Sequence, residues 1–502
     1  MPTITGNARR IARAAALVAA CFASMASANL MHVSTSGVGQ VLLFPYYTTR
    51  NDTVSLLSLV NTSVQAKAVR INVREARGGF VVARLNVYLS AKDVWTAAIV
   101  ADGDGAKLIT NDLSCTAPLV GSGLAFDNTS YASASSTLPE ALRSRDRTRE
   151  GYLEIIEMAA IPNATKTGVL VTHVNGVANC DRDPPFTLPK PSKLTDASYE
   201  PPAADLRPAT GQLTGTLSFV NVGQGMLAST APTVLENFWR SDTTAPAPRV
   251  WAATASGPDL TSGGNRFVNL PRYNTDATVA SESHYVAEFA SSIDAVSALF
   301  TAPKVSSEYA YTRDAIISTQ VVLTFPTKPY YVFASSPSPF QQLWNAEIAR
   351  SCDEYGYLTF DREEGVAASW VNALDRPYIP PPVACYGANP IYFGSGGMLG
   401  SALGNAINGI QYGGVEVISP GREGGWLELQ FLGTRAKLAA VAASSVKRVA
   451  GVLTLTPVSL TLQGLPVIGF TLSQSAYKTG SPQQNYGDIA PLRREPSYQE
   501  AR

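Results

Sequence analysis

Between residues 40 and 100 the chain runs in short bursts of β-branched, aliphatic and aromatic residues: Gln40 to Tyr47, Thr53 to Asn61, Ala66 to Glu75, Phe80 to Leu89 and Val94 to Val100. Turn chemistry separates them at Arg50-Asn51-Asp52, Thr62-Ser63, Arg77-Gly78-Gly79 and Ser90 to Asp93. Strand-length runs at this spacing predict a sandwich or barrel, not alternating strands and helices. Inside Lys67 to Val73 the period is two, with Ala68, Arg70 and Asn72 on one face and Val69, Ile71 and Val73 on the other. That alternation predicts one buried face and one wet face.

Further strands are expected at Gly151 to Met158 and Gly168 to Val174. From Asp181 to Ala209 the chain then carries Pro184, Pro185, Pro189, Pro191, Pro201, Pro202 and Pro208, too many residues without an N–H donor for a sheet ladder. Strands resume at Gly215 to Val222, Ile316 to Phe325, Tyr330 to Ala334, Gly356 to Phe360, Val415 to Ile418, Trp426 to Phe431 and Val452 to Leu462, with a hairpin around Pro420 to Gly425. Ile293 to Phe300 and the Ala-rich Arg435 to Val446 are the better helix candidates. The expected fold is therefore mainly β, with antiparallel sandwich domains of immunoglobulin-like or jelly-roll-like kind and few short helices. The expected organisation is a signal peptide (1–28), an N-terminal sandwich (29–183), a Pro-rich linker or long loop (184–210), a C-terminal β-rich domain (211–470) and a polar, flexible tail (471–502).

The signal reading rests on Arg9, Arg10 and Arg13, the apolar stretch Ala14 to Phe22, and Ala26-Ser27-Ala28, an A-x-A cleavage pattern. A membrane anchor would need an apolar run of ~20 residues. Val18-Ala19-Ala20 before Cys21 leaves a lipoprotein signal as a second reading. Past the cut, Cys115, Cys180, Cys352 and Cys385 form an even set in a compartment that permits oxidation. Four cysteines allow three pairings, of which the local one, Cys115 with Cys180 and Cys352 with Cys385, is the simplest; four buried thiols are the alternative.

Charge narrows the partners. The chain has 39 basic and 39 acidic residues and only 16% charged positions, against roughly 25% in an ordinary soluble domain. Removing residues 1–28 takes away three arginines and no acid, leaving 36 basic against 39 acidic groups, a formal charge of −3. Nucleic acid is not an expected partner. A weakly charged β surface instead offers little resistance to association.

Candidate chemistry is sparse. The three histidines, His32, His173 and His284, accompany neither a G-x-S-x-G elbow nor an H-E-x-x-H motif. Gly223 to Ala228 fits G-x-G-x-x-A, yet Pro232 follows where a dinucleotide site needs an uninterrupted helix. Asp102, Asp104 and Asp112 resemble part of a calcium loop, because a hard cation wants several carboxylates on a glycine-permissive turn. Asp353, Glu354, Asp361, Glu363 and Glu364 cluster beside Cys352; Glu354, Asp361 and Glu363 are the candidate catalytic carboxylates, since glycoside cleavage uses two carboxylates about 5–10 Å apart. Tyr46, Tyr47, Tyr88, Trp95, Tyr330 and Tyr331 could stack on sugar rings, but in strands aromatics mostly fill cores.

Leu42-Leu43-Phe44-Pro45-Tyr46-Tyr47, Leu59-Val60-Asn61-Thr62, Lys67-Ala68-Val69-Arg70, Asn86-Val87-Tyr88-Leu89-Ser90 and Asp93-Val94-Trp95-Thr96 together resemble the opening of an uncharacterised family of exported proteobacterial proteins. Phe325-Pro326-Thr327-Lys328 and Gly464 to Phe470 resemble its later motifs. The resemblance implies an exported bacterial origin, with extracellular, cell-surface or periplasmic location, and no catalytic residues. The expected function is a non-enzymatic structural, adhesive or self-associating role, through exposed edge strands, with an envelope surface or a second copy as partner, no transmembrane segment and no cofactor. The alternative is a carbohydrate-binding or glycoside-cleaving protein using the Asp353 to Glu364 carboxylates.

Overall fold

The computed structural model describes residues 29–501, apart from 133–137, 181–193, 242–244, 272–282, 313–315, 363–365, 371–381, 395–396, 404, 407–423, 432–436, 450–451 and 477–484. The expected signal segment 1–28, the strand Val415 to Ile418 and most of the hairpin around Pro420 to Gly425 lie outside the described residues. Ten strands open the chain: β1 (His32–Val33), β2 (Val41–Thr48), β3 (Val54–Asn61), β4 (Ala66–Glu75), β5 (Val81–Leu89), β6 (Val94–Asp102), β7 (Gly105–Ile109), β8 (Cys115–Ala117), β9 (Leu124–Ala125) and β10 (Glu150–Ile161). The chain is mainly β, and its pairings are antiparallel nearly throughout.

Two sheets make the N-terminal sandwich. One has the order β1, Thr233–Glu236, β2, β10, β4, β5, β8; the other runs Met226–Thr230, Leu213–Asn221, β3, β6, β7, β9. Leu42, Phe44, Val69, Ile71, Val73, Leu85 and Val87 from the first join Leu57, Leu59, Trp95, Ile99, Leu217 and Phe219 from the second in one apolar cluster. The period-two pattern of β3 and β6 thus buries one face, as the sequence predicts.

β2 is apolar at nearly every position because both its faces are covered. Leu42 and Phe44 enter the sandwich core, whereas Val41 and Leu43 enter a second cluster with Val268, Tyr285 and the helix α1 (Ser292–Phe300). Ser291 caps α1, its hydroxyl accepting from Asp294 N at 3.2 Å.

The expected domain boundaries do not match these layers. Leu213–Asn221 pairs with β3 and Thr233–Glu236 with β2, so residues placed in a C-terminal domain complete the N-terminal sheets. Val322, Ala388, Phe470 and Leu472 from the later half lie in the same apolar cluster as Phe44 and Trp95. The described end of the Pro-rich segment is docked: Leu194 and Leu206 are buried, and Arg207 exchanges main-chain hydrogen bonds with Ala160. The described part of the polar tail is largely paired strand. Tyr486–Pro491 pairs with Ile468–Ser475, Arg493–Glu495 with Lys304–Ala310, and Ser497–Ala501 with Val452–Gln463.

Local propensity was overruled elsewhere. The Ala-rich 435–446 region holds Lys437–Ala439 and the start of Ala442–Val449, both strands paired with Val452–Gln463. Two expected strands contain helical turns instead, Lys166–Val171 and Pro329–Val332. Thr165 caps the first by accepting from Gly168 N, and Pro329 starts the second at a position that needs no N–H donor.

Both disulfides are the local pairs, Cys115–Cys180 and Cys352–Cys385. The first spans 65 residues and ties the three-residue edge strand β8 to the segment after Val177–Ala178. Loop-closure entropy for such a span is worth about 4 kcal/mol. Cys115→Ser with Cys180→Ser should lower unfolding free energy by about 2–4 kcal/mol in urea denaturation, and an unchanged midpoint would show that the crosslink constrains nothing.

Candidate functional site

The densest set of charged side chains is buried inside the molecule. β4 and β10 are buried at every residue, although they carry Lys67, Arg70, Arg74, Glu75, Glu150, Glu154 and Glu157. The expected wet face of β4 is therefore dry. Residues 251–258 and Tyr330 cover it: Arg70 donates to the carbonyls of Ala252 (2.6 Å) and Ala253 (3.1 Å), and Asn72 Nδ2 donates to Pro258 O (2.9 Å) and Glu154 (2.8 Å). Arg74 Nε donates to Glu154 at 3.0 Å, and its Nη2 donates to the Tyr330 hydroxyl. Lys67 Nζ meets Glu157 at 2.6 Å, and Glu157 also accepts from Thr210 N (3.0 Å) and Gly211 N (2.7 Å).

Burial raises the carboxyl pKa of Glu154 and Glu157 despite the neighbouring cations, and lowers the Arg70 guanidinium to about 10. Glu75 and Glu150 finish the layer at one end of the strands. Glu75 accepts from Arg77 N (2.8 Å) and Gly78 N (2.7 Å), and Glu150 accepts from Arg50 Nε and the Tyr46 hydroxyl, both at 2.7 Å. Each acid is spent on a structural partner, so the layer is a framework and not a solvent-reachable acid–base pair.

The sequence candidates are scattered. The Asp353 carboxylate is buried, accepting from Lys328 Nζ (2.7 Å) and Gln341 N (2.7 Å) beside the Cys352–Cys385 bridge, while burial lowers the Lys328 ammonium. Glu354 is exposed. Asp361 lies at the end of the strand Gly356–Asp361, and Glu363 and Glu364 lie outside the described residues. Arg145 takes both Asp102 (2.9 Å) and Asp104 (3.3 Å), and with Lys107 it holds the Asp102 carboxyl below its usual range. Asp112 is apart from them, accepting from Ser114 Oγ (2.7 Å) and from Thr96 N at the far end of β6. The three carboxylates that resemble part of a calcium loop are therefore not gathered in one place, and no metal-ligating group of three occurs among the described residues. Gly223 to Ala228 forms a hairpin turn and the start of a strand, with Gly225 at φ +63°.

Tyr46, Tyr47, Tyr88 and Trp95 are core residues, as their strand context suggested. Among the exposed aromatics is a stacked pair on other strands. Trp426 on Gly424–Gln430 stacks on Phe360 across the ladder, with ring centres 4.1 Å apart and planes 8° from parallel. Trp426 is 38% exposed and borders an open groove of about 940 Å³ with Arg362, Glu308, Ser306 and Arg493. Alternation in Gly424–Gln430 could have flagged this residue, but not its partner on another strand.

The outer face of the six-stranded sheet is the second exposed feature. Val54, Leu56, Ser58, Val60, Val94, Thr96, Ala98, Val100, Thr214, Thr216, Ser218, Val220, Leu227 and Ser229 point outward on four adjacent strands, and none is charged. Leu56 is 41%, Val94 49% and Leu227 58% exposed. Pairing aligns them in rows, Ser218 with Leu56 and Ala98, Thr216 with Ser58 and Thr96. Ser218 and Ser229 hydroxyls share a 2.7 Å hydrogen bond. Charge enters where β6 meets β7: Asp102, the last outward position of β6, pairs with Lys107 of β7 at 3.3 Å. Edges of the two N-terminal sheets are short or guarded: β1 and β9 have two residues and β8 three, and Gly487 of Tyr486–Pro491 lies against Leu227 on the remaining edge. In these two sheets the outer face, not an edge, is what stands open to solvent.

Comparison of the chain with protein-family models, with curated proteins and with solved structures returned no match.

The buried pair makes two linked predictions. Glu157→Gln leaves the Lys67 ammonium without a countercharge and should cost about 3–5 kcal/mol, whereas Lys67→Met with Glu157→Leu should recover most of it. A carboxyl whose folded pKa is raised holds its proton better in the fold than in the open chain. Its contribution is therefore fully present below about pH 4 and declines as pH rises through the raised value. Urea unfolding across pH 4–8 should show a flatter profile in the double variant; an equal slope in both proteins would reject this assignment.

Proposed function

We propose that this is a non-enzymatic exported protein of the cell envelope or extracellular space that associates with copies of itself, face to face, through the uncharged surface of its six-stranded sheet. The observation that carries the reading is the run of fourteen outward positions without a charge in a chain that has 78 charged residues. Sheets stack about 10 Å apart when their facing side chains are small and apolar or hydroxylated. A second copy brings the same surface, with no like-charge repulsion to overcome.

Four strands at ~4.8 Å spacing and about seven residues at ~3.4 Å each span on the order of 450 Å². A standard stable interface buries about 800 Å² per partner. The area therefore suits reversible, concentration-dependent association. Export is supported by the leader pattern at 1–28 and by the two disulfides, which fit an oxidising compartment. No helix among the described residues is long and apolar enough to cross a membrane. The sequence resemblance to exported proteobacterial proteins agrees with this placement, and the lipoprotein route through Cys21 would hold the same body at a membrane surface.

A second reading is favoured by one observation, the exposed Phe360–Trp426 stack bordering the open groove. An aromatic face beside Arg and Glu side chains is suited to a sugar ring, whose C–H face stacks while its hydroxyls bond to the charged groups. In that reading the protein binds carbohydrate, with Glu354 and Glu363 as candidate contributors to cleavage.

Sedimentation velocity on mature protein should show a weight-average mass that rises with concentration. Leu56→Glu and Leu227→Glu, both at exposed positions, should abolish the rise while leaving the unfolding midpoint within about 0.5 kcal/mol of wild type. Monomers at every concentration, or unchanged association in both variants, would overturn the reading. On a glycan array and in a reducing-sugar assay, the carbohydrate reading predicts signals that Trp426→Ala removes from binding and Glu354→Gln or Glu363→Gln from turnover; silence in both assays would eliminate it.

A further inference from the structure

The strand Val452–Gln463 has no charged residue, and its two edges are covered unequally. Ala442–Val449 pairs with Val452 to Val458 on one edge, and Lys437–Ala439 continues that edge along Thr461 to Gln463, with Ala440 N bonded to Leu460 O between them. On the opposite edge Ser497–Ala501 reaches only from Gln463 to Ser459. Val452 to Val458 therefore has no partner strand on that side among the described residues. Thr454, Leu455, Thr456 and Pro457 are all exposed there, Leu455 by 51%.

Pro457 fixes which backbone groups face the open edge. It stands opposite Ser444 inside the ladder, where a residue without an N–H fits only if its nitrogen points away from the partner strand. Backbone groups alternate between the two edges of a strand, so Leu453, Leu455 and Pro457 face the open side, in line with Ser459, Thr461 and Gln463 beside Ser497–Ala501. The edge thus presents the N–H groups of Leu453 and Leu455 and the carbonyls of Leu453, Leu455 and Pro457.

We infer that this edge pairs with the same edge of a second copy, antiparallel about a two-fold axis at Leu455, so that two sheets join into one. Leu455 then exchanges both main-chain bonds with its counterpart, and each Leu453 N–H meets a Pro457 carbonyl across the axis, where the missing proline N–H is not needed. The side chains that meet are Leu455 with Leu455 and Thr454 with Thr456, pairs that favour an antiparallel ladder and bring no like charges together. The open stretch is bounded by Ser497–Ala501 at Ser459 and by the Val449–Val452 end of the hairpin, and Val452 to Val458 of a second copy, run in reverse, fits between the same two limits. A contact this short is weak between free copies and gains where an envelope surface holds them at high effective concentration. It uses a different surface from the six-stranded sheet face, so it stands whether or not that face self-associates.

Cysteine trapping on concentrated mature protein, read on non-reducing gels, tests both the contact and its register. Leu455→Cys should give a disulfide-linked dimer under mild oxidation, because directly opposed residues of a hydrogen-bonded antiparallel pair have Cα atoms about 5.5 Å apart, within disulfide reach. Thr454→Cys and Thr456→Cys, each alone, should crosslink at least about tenfold more slowly, since each meets its own counterpart only across a diagonal of about 7–8 Å. Mixed in equal amounts, those two variants should crosslink to each other at a rate comparable to Leu455→Cys. All three positions are exposed, and Cys115, Cys180, Cys352 and Cys385 are already bridged, so neither the fold nor a native thiol confuses the reading. The pattern should be unchanged when Leu56→Glu and Leu227→Glu remove the sheet-face contact, which separates failure of one contact from failure of the other. Equal rates for the three single variants, the mark of random collision, or no dimer from Leu455→Cys would overturn the proposal.

Discussion

Lys67 and Glu157 meet at 2.6 Å with neither side chain reachable by water, and the rest of the molecule is organised around keeping that arrangement possible. Taking an ammonium and a carboxylate out of water costs several kcal/mol for each ion, and their mutual attraction offsets this only when the remaining donors and acceptors are also satisfied. Thr210 and Gly211 provide that satisfaction from a segment 53 and 54 residues downstream. The same condition recurs along β4, where Arg70 is solvated by carbonyls of residues 252 and 253, and Arg74 by Glu154 and Tyr330. A sandwich made of β1–β10 alone would leave these groups half-paired. The partners that complete the pairing come from residues 210–211, residues 252–253 and Tyr330.

That requirement explains why the chain does not divide at its prolines. The described prolines of that stretch, Pro201, Pro202 and Pro208, flank the buried Leu206 and the Arg207–Ala160 main-chain bonds, and strand Leu213–Asn221 follows to complete the opposite sheet. On the other side, Val322 and Phe470 complete the apolar core from the later half. Coupling through both a polar layer and an apolar layer makes the two halves parts of one folding unit.

The inward use of charge also shapes the exterior. Lys67, Arg70, Arg74, Arg147, Glu75, Glu150, Glu154 and Glu157 are all buried, in a chain whose charged fraction is only 16%. Ser, Thr, Val and Leu face water on the six-stranded sheet.

The sequence by itself determined the class of fold and most strand positions, because period-two alternation, β-branched content and turn residues are local properties. β3, β6 and Leu213–Asn221 follow directly from them, as does the core placement of Tyr46, Tyr47 and Trp95. Residue spacing also favoured the local disulfide pairing. Alternation in β4 identified the right two faces but not that both are dry, since the covering groups lie more than a hundred residues away. Helical propensity misread the described part of Arg435 to Val446, where pairing with Val452–Gln463 outweighed alanine's preference, and polarity misread the described tail, whose strands find partners on distant strands. Which surface is free for a partner was decided by tertiary structure alone, because it depends on distances between residues that no local pattern relates.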